Sequence, residues 1–196
     1  MKNTLVILLI FLFSNTIFAA SISLQVISAG YDTSGYPGGV ARLYVDGVDY
    51  SKNGRGINIV VIDKTYGNVV SSVVFDTYLS TTASANMVTF INNIAAGNIV
   101  IAAVKDEATD NITSTAINAL KTLGASSFAP GYRGSWAFIG EKGLAAGAGL
   151  QDTDPRYGAA STLSKTVELM IPEPGTYFLC LISLVFVTYH RKKRNK

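Results

Sequence analysis

Two runs rich in Val and Ile dominate the hydrophobic pattern of the chain, 57–62 and 69–75, and the segment 64–68, which includes Gly67, forms the connection between them. Such runs on either side of a glycine-containing connection are typical of a β-hairpin. The first run is almost continuously apolar, as expected of a strand that is covered on both faces. We therefore predict that 57–62 lies at the centre of a sheet and that the rest of the domain packs onto it.

The remaining pattern predicts further strands and two helices. A helix capped at 80–82 places Ala85, Met87, Val88, Ile91 and Ile94 on one side and ends near Gly97, and a second helix spans 112–123, with Thr109 or Asp110 as its cap and Gly124 after it. Strands are predicted at 23–28, 41–45, 98–104, 136–140 and 166–171, with a hairpin turn at Asp46-Gly47. The predicted fold class is α+β, mainly β: a two-layer antiparallel β-sandwich with two or three short helices at its rim.

The amino-terminal segment 1–20 has the features of a secretory signal peptide. Lys2 precedes an apolar core at 5–13, and small residues follow at 19–21. Signal peptidase would then release a mature chain beginning near Ser21 or Ile22, and an uncleaved anchor is the alternative. The single cysteine, Cys180, lies outside the exported domain, so we expect that domain, 21–171, to fold without disulfides.

The carboxyl-terminal segment 172–196 predicts membrane insertion. The apolar run 177–189 is followed by the basic residues Arg191, Lys192, Lys193 and Arg194, a stop-transfer pattern that keeps the basic end in the cytoplasm. A transmembrane helix over 175–190 would extend roughly 24 Å, which is short for a hydrocarbon core of about 30 Å. We therefore expect a marginal or temporary anchor.

The order of motifs in this segment resembles the PEP-CTERM sorting signal of Gram-negative bacteria that make exopolysaccharide. Pro172, Glu173 and Pro174 precede the short helix and the basic tail. The resemblance implies that an exosortase recognises the three residues, removes the helix and passes the protein to the cell surface or extracellular matrix. The alternative is a plain tail anchor whose prolines merely end a strand.

The charge of the chain gives no support for nucleic-acid binding. The formal net charge is +3, but residues 21–171 carry ten Lys and Arg against twelve Asp and Glu. The basic excess thus belongs to the ends of the chain, whereas a nucleic-acid partner requires basic residues gathered on the domain.

Catalytic patterns are also missing. The only histidine, His190, lies in the tail, so no Ser-His or metal-His set is available in the domain. Asp106 with Glu107 and Asp152 with Asp154 are paired carboxylates, but neighbouring loop residues do not form the facing pair of a glycosidase or the spaced ligands of a calcium loop. We interpret both pairs as solvated loop acids and expect no enzyme activity, cofactor or metal.

Arg55 stands between Gly54 and Gly56 at the entrance to the central hairpin. Glycine is used where the chain needs positive φ or where another group approaches the backbone closely. The guanidinium is therefore placed to meet a ligand, although an ordinary solvated loop arginine explains the same pattern.

Four motifs in order resemble the ILEI/PANDER-like domain: 54–58, 75–78, 104–107 and 131–140. In the stem region of the protein O-mannose N-acetylglucosaminyltransferase this domain binds glycan, and the resemblance implies carbohydrate-binding roles for Arg55, Asp106 and Arg133 here. These residues would converge at one sheet end, with Trp136 or Tyr132 stacking on a sugar. The alternatives are an Arg-Asp ion pair that ties loops together, and a core position for Trp136.

These observations predict an exported, surface-sorted, non-enzymatic module that binds carbohydrate, either N-acetylglucosamine-type glycan or the exopolysaccharide of the same cell. A structural or protein-interaction component of the matrix is the alternative, and it predicts oligomers without sugar affinity. A glycan-processing enzyme is the second alternative, and it predicts turnover that depends on Asp106 or Glu107.

Overall fold

The computed structural model describes residues 20–171, which form nine strands and two helices. The elements in chain order are β1 (Ser21–Gly30), β2 (Val40–Val45), β3 (Val48–Asp49), β4 (Gly56–Ile62), β5 (Val69–Phe75), α1 (Thr81–Asn92), β6 (Ile99–Asp106), α2 (Ser114–Lys121), β7 (Ser135–Glu141), β8 (Leu150–Asp154) and β9 (Ser161–Glu168).

The predicted central hairpin is confirmed as β4 and β5. All seven residues of β4 are buried, and the strand pairs antiparallel with β5 on one edge and with β6 on the other. A strand with neighbours on both edges and no exposed residue lies at the centre of its sheet, as the continuous apolar run indicated.

The strands form one mixed sheet in two halves. The first half has the order β9-β1-β2-β3 and the second β5-β4-β6-β7-β8. The halves join where the end of β1 pairs in parallel with the end of β6, at Ala29↔Lys105 and Gly30↔Asp106. The prediction of a purely antiparallel sheet was therefore wrong at this junction.

The buried Ser28 fastens the junction. Its hydroxyl donates to the carbonyl oxygen of Val104 at 2.7 Å and accepts from the backbone N–H of Trp136 at 2.9 Å. These hydrogen bonds link three strands that come from distant parts of the chain.

Two apolar clusters cover the two faces of the second half of the sheet. One cluster contains side chains of β1 and β2 together with side chains of β4, β6 and β7, so the two halves pack face to face. The other places the opposite faces of β4, β6 and β7 against α1 and α2. The helices therefore lie on a sheet face rather than at the rim, because both present buried apolar side chains to it.

The predicted helices are present, with differences in detail. Ser80 caps α1, accepting from the Ala83 N–H at 3.3 Å, but Ala85 is exposed and Ser84 takes the buried position. Thr113 caps α2 rather than Thr109 or Asp110. In the last part of the domain, β9 begins and ends earlier in the sequence than the predicted strand 166–171. Strand β8 was not predicted, because its sequence LQDTD has no apolar alternation.

The predicted signal peptide, apart from residue 20, and the whole predicted sorting segment lie outside the described residues. Between residues 20 and 171, neither helix combines the length and the apolar character needed to span a membrane.

Candidate functional site

The three predicted polar residues lie at one end of the sheet, as expected. Arg55 precedes β4, Asp106 ends β6, and Arg133 precedes β7 by two residues. Gly56 pairs with the neighbour of Asp106, and Asp106 itself pairs with the last residue of β1. We call this edge of the domain the Arg55 end.

Arg55 is held by Asp76, which follows β5. Its Nε lies 3.1 Å from both carboxylate oxygens and a terminal nitrogen lies 2.8 Å from one of them. The hydrogen bond to Asp76 raises the pKa of Arg55. The guanidinium also lies 4.5 Å from the ring centre of Tyr78. An Arg-Asp ion pair is thus present, and about a third of each side chain remains exposed, at 37% and 31%.

The backbone geometry at position 56, directly after Arg55, requires a glycine. Its φ is +95°, and a Cβ there would lie 2.1 Å from the carbonyl oxygen of Phe75. Any other residue would push β5 and the Asp76 loop away from β4.

The Asp106 carboxylate accepts no hydrogen bond from residues 20–171, and the positive charges of both arginines act on it. The backbone of Asp106 has φ of 64°, in the left-handed region that non-glycine residues rarely adopt. Burial raises the pKa of Asp106 and Glu107 adds to the increase, although Arg55 and Arg133 oppose it. Asp106 is therefore an acceptor held between two cations.

The glycine-rich loop after β1 packs directly against Asp106. The Tyr31 N–H donates to the Asp106 carbonyl oxygen at 3.1 Å. A Cβ on Gly39, whose φ is +74°, would lie 2.6 Å from the Asp106 backbone nitrogen. This close approach fixes the backbone of Asp106.

Arg133 completes the predicted group. Its φ is 58°, its guanidinium lies 4.2 Å from the ring centre of Tyr31, and a terminal nitrogen donates to Asp32 at 3.3 Å. Burial alone would lower the pKa of Arg133, but the hydrogen bond to Asp32 together with the charges of Asp32, Tyr132 and Tyr31 outweighs it, and the pKa is raised. Arg133 is thus a fixed cation with nitrogen atoms still available to a ligand.

Glu107 was interpreted as a solvated loop acid, and that interpretation was wrong. Only 2% of the residue is exposed. One carboxylate oxygen accepts from the Ala108 N–H at 2.8 Å and from the N–H and hydroxyl of Thr109, both at 2.6 Å. The other oxygen accepts from the backbone N–H of Arg133. Glu107 is therefore a positioning residue that ties the Asp106 turn to the Arg133 turn.

Trp136 was one of the predicted sugar contacts, and the structure places it in the core. It has no exposed surface and packs between Phe128 and Phe138, with ring centres 5.1 Å and 5.2 Å away. A ring with aromatic neighbours and no exposed face cannot stack on a sugar in this structure. Tyr132, the other predicted aromatic contact, is 48% exposed at the same sheet end.

Sequence reasoning missed a second group of polar and aromatic residues beside Arg133. Arg156, in the loop between β8 and β9, donates from Nε to Asp32 at 2.7 Å. Its guanidinium lies 4.6 Å from the ring centre of Tyr157 and 5.3 Å from that of Tyr132. Burial would raise the pKa of Asp32, but the hydrogen bonds from Arg156 and Arg133 outweigh it and the pKa is lowered. The one signal of this group in the sequence is that its polar loops contain tyrosines.

The second predicted pair of loop acids lies in β8. The Asp152 carboxylate accepts from the Thr162 N–H at 3.1 Å, and both Asp152 and Asp154 are partly exposed, so the assignment to a loop was wrong whereas contact with solvent is retained. In the part of the chain that the structure describes, no three His, Cys, Asp or Glu side chains are grouped to hold a metal ion.

The fold and site define a β-rich domain with hydrogen-bonding and aromatic groups gathered at one sheet end, the arrangement of a binding module. Residues 55–144 match the model of the family described as Interleukin-like EMT inducer, and this stretch is a domain of that family. The match contains Arg55, Asp106 and Arg133.

The curated relatives support the same assignment. The chain is 31% identical over 156 residues to the human Cell migration-inducing and hyaluronan-binding protein, covering 78% of this chain and 11% of that protein. The mouse protein of that name is 35% identical over 126 residues, or 63% of this chain and 9% of that protein. Protein FAM3C of Danio rerio is 33% identical over 93 residues, covering 46% of this chain and 40% of that protein.

Proposed function

We propose that the Arg55 end binds carbohydrate and that the protein has no catalytic role. The observation that carries the proposal is the meeting of Arg55, Asp106 and Arg133 at one sheet end, where the positive charges of both arginines act on an Asp106 carboxylate that has no hydrogen-bond donor within residues 20–171. A raised pKa and a backbone with positive φ at one residue are costs that a protein tolerates at a ligand site.

The chemistry of the group suits a sugar. A carboxylate accepts from adjacent hydroxyls, while a guanidinium donates to hydroxyl and amide oxygens. Arg55 and Arg133 are held by Asp76 and Asp32, so little side-chain entropy is lost when a ligand binds. Tyr132 offers an exposed ring for stacking on an apolar sugar face.

The comparisons support glycan as the ligand class. The human and mouse relatives are both named as hyaluronan-binding proteins, and hyaluronan is a polysaccharide that contains N-acetylglucosamine. We therefore propose N-acetylglucosamine-type glycan or an extracellular polysaccharide as ligand. The chain covers only about a tenth of these relatives, so the support concerns this domain alone.

A structural or protein-interaction role in the matrix is the second candidate. The ion pairs Arg55–Asp76 and Arg133–Asp32 favour it, because they tie loops together without any ligand. Under that account the arginines contribute to stability, and their removal leaves no binding function to lose.

The binding test is calorimetric titration of the full chain with chito-oligosaccharides and with purified polysaccharide of the source cell. We expect saturable binding that Asp106→Asn abolishes, since the amide replaces an acceptor oxygen with a donor. Asp110→Asn is the matched control, because Asp110 is an exposed loop residue. Equal binding by Asp106→Asn and the unaltered chain would contradict the proposal.

We also propose that the protein is exported, held transiently in the inner membrane and then sorted by an exosortase. The support is the sequence pattern of Pro172, Glu173 and Pro174 with the basic residues 191–194. Mass spectrometry of the protein from the source cell tests this account. We expect loss of residues 1–20 and of the C-terminal helix, the second loss being blocked by Glu173→Ala; a full-length carboxyl terminus at the cell surface would contradict it.

A further inference from the structure

The residues beside Arg133 form a second group with its own geometry. Its six members are Tyr31, Asp32, Tyr132, Arg133, Arg156 and Tyr157. Four of them, Tyr31, Asp32, Arg156 and Tyr157, lie outside the residues 55–144 that match the family model. The loops after β1 and β8 supply these four, so the group extends beyond the Arg55–Asp106–Arg133 site, with which it shares Arg133.

The aromatic rings and guanidinium groups alternate. Tyr31 contacts Arg133, Arg133 contacts Tyr132, Tyr132 contacts Arg156, and Arg156 contacts Tyr157, with guanidinium-to-ring distances of 4.2, 5.1, 5.3 and 4.6 Å. Cations stacked on rings are held in place without using their in-plane N–H groups.

The three tyrosines remain accessible. Tyr31, Tyr132 and Tyr157 are 43%, 48% and 68% exposed. Tyr157 has φ of 64°, a conformation that tyrosine adopts only where the surrounding structure enforces it. Next to Tyr31 and Asp32 lies an open pocket of about 350 Å³, bordered by Gly35, Pro37 and Gly38. Tyr31 is the one of the three rings that lines this pocket, and an exposed ring at an open pocket is typical of a surface that receives a ligand.

The charges of this group do not cancel. Arg133 and Arg156 both donate to the same Oδ2 atom of Asp32, so two positive charges share one carboxylate. Arg156 uses only its Nε for that contact and Arg133 only one terminal nitrogen, so the other guanidinium N–H groups face no carboxylate acceptor among residues 20–171.

We propose that these six residues form a second subsite, next to the Asp106 site, that binds a carboxylate-bearing sugar unit of an acidic polysaccharide. This inference rests on the proposed carbohydrate function and deepens it. The Asp106 site takes a neutral sugar through its hydroxyl and amide groups. The second subsite takes the neighbouring acidic unit, with its carboxylate on the free N–H groups of Arg156 and Arg133 and its ring on a tyrosine.

The test compares three probes on the purified full chain: a chito-oligosaccharide, a hyaluronan oligosaccharide of matched length, and the same hyaluronan after reduction of its carboxyl groups to alcohols. We expect the acidic probe to bind about tenfold more tightly than its reduced form, a factor that corresponds to about 1.4 kcal/mol. The preference should weaken as salt is added, because it depends on charge.

Two variants locate the effect. Arg156→Gln should remove the preference for the acidic probe over its reduced form. Arg42→Gln is the matched control and should keep it, since Arg42 is also paired with an aspartate and has a similarly exposed side chain, 39% against 38%.

The outcomes separate this inference from the function on which it rests. Chito-oligosaccharide binding without preference for the acidic probe would overturn the second subsite and leave the proposed function standing. A preference that survives Arg156→Gln would also overturn it. If none of the three probes binds, both proposals fail.

Discussion

The two ends of the sheet satisfy their polar groups in different ways. At the end opposite to the Arg55 end, the Asp63 carboxylate accepts from the backbone N–H groups of Thr65 and Tyr66, at 2.9 and 2.8 Å, and Lys64 pairs with Glu141. At the Arg55 end, the Asp106 carboxylate has no donor within the described residues. All five arginine–tyrosine contacts found in that part of the chain also belong to the Arg55 end.

Backbone strain follows the same division. Four of the five non-glycine residues with positive φ in the described range, Asn53, Asp106, Arg133 and Tyr157, lie at the Arg55 end. At the opposite end Asp46 also has positive φ, but it occupies the turn Asp46-Gly47, where aspartate is well tolerated. The comparison teaches that positive-φ residues and arginine–tyrosine contacts gather at the Arg55 end, as strained conformations do at ligand sites.

The largest expected effect concerns the core beneath the Arg55 end. Trp136→Ala should lower the free energy of unfolding by about 3–5 kcal/mol, because it empties a buried aromatic position. Tyr132→Ala at the exposed surface should change stability by less than about 0.5 kcal/mol and weaken glycan binding. Urea unfolding and glycan titration of both variants check this prediction. A stable Trp136→Ala protein that has lost glycan binding would restore Trp136 as a sugar contact.

The next largest effect is expected when a glutamate is replaced by alanine at each of the two ends. Glu107→Ala should lower the free energy of unfolding by about 2–3 kcal/mol, because buried N–H groups lose their acceptor. Glu141→Ala removes only the partly exposed pair with Lys64 and should cost about 1 kcal/mol or less. Glycan binding should be lost in the first variant only, since Glu107 holds the Arg133 turn. Equal losses of stability would remove the distinction between the ends.

A smaller effect separates ligand binding from loop tethering. Arg55→Ala breaks the ion pair with Asp76, in which about a third of each side chain is exposed, so the variant should lose about 1 kcal/mol of stability or less. Its glycan affinity should be abolished. Thermal unfolding and glycan titration measure the two quantities, and Arg42→Ala serves as the matched ion-paired control. Strong destabilisation with unchanged glycan affinity would favour the structural account.

The smallest expected effect is a gain in stability. Because the pKa of Asp106 is raised on folding, the folded protein binds this proton more tightly than the unfolded chain does, and stability falls as the pH rises from the ordinary value of 3.8 through the raised one. Asp106→Asn removes this cost and tolerates positive φ. Its melting temperature should exceed that of the unaltered protein at neutral pH, and the difference should shrink as the pH falls below 3.8. A variant that is less stable at neutral pH would contradict this ionisation argument.

The sequence predicted the features that depend on local pattern. The hairpin of β4 and β5 and the helix after Ser80 follow from apolar periodicity and capping, and the meeting of Arg55, Asp106 and Arg133 at one end follows from the resemblance and the strand order. The parallel contact of β1 with β6 could not be predicted, because it covers two residue pairs between distant segments. Nor could the buried role of Glu107, since its acceptor function toward Arg133 depends on a contact between loops 26 residues apart.

The second polar group was out of reach for the same reason. Tyr31 and Arg156 lie near Arg133 only because the β1–β2 and β8–β9 loops are at the same sheet end. In addition, β8 has no apolar pattern from which it could be predicted. Short-range pattern identifies elements, whereas a site assembled from several loops depends on long-range pairing.

The most direct test of the central claim is a nuclear magnetic resonance titration of the full chain, labelled on the backbone and on arginine side chains, with chito-oligosaccharides and the host polysaccharide. The account predicts saturable shifts at Arg55, Asp106 and Arg133, with signals near Lys64 and Glu141 unchanged. The absence of shifts with every sugar, or shifts confined to the opposite end, would contradict the claim that the Arg55 end is a carbohydrate site.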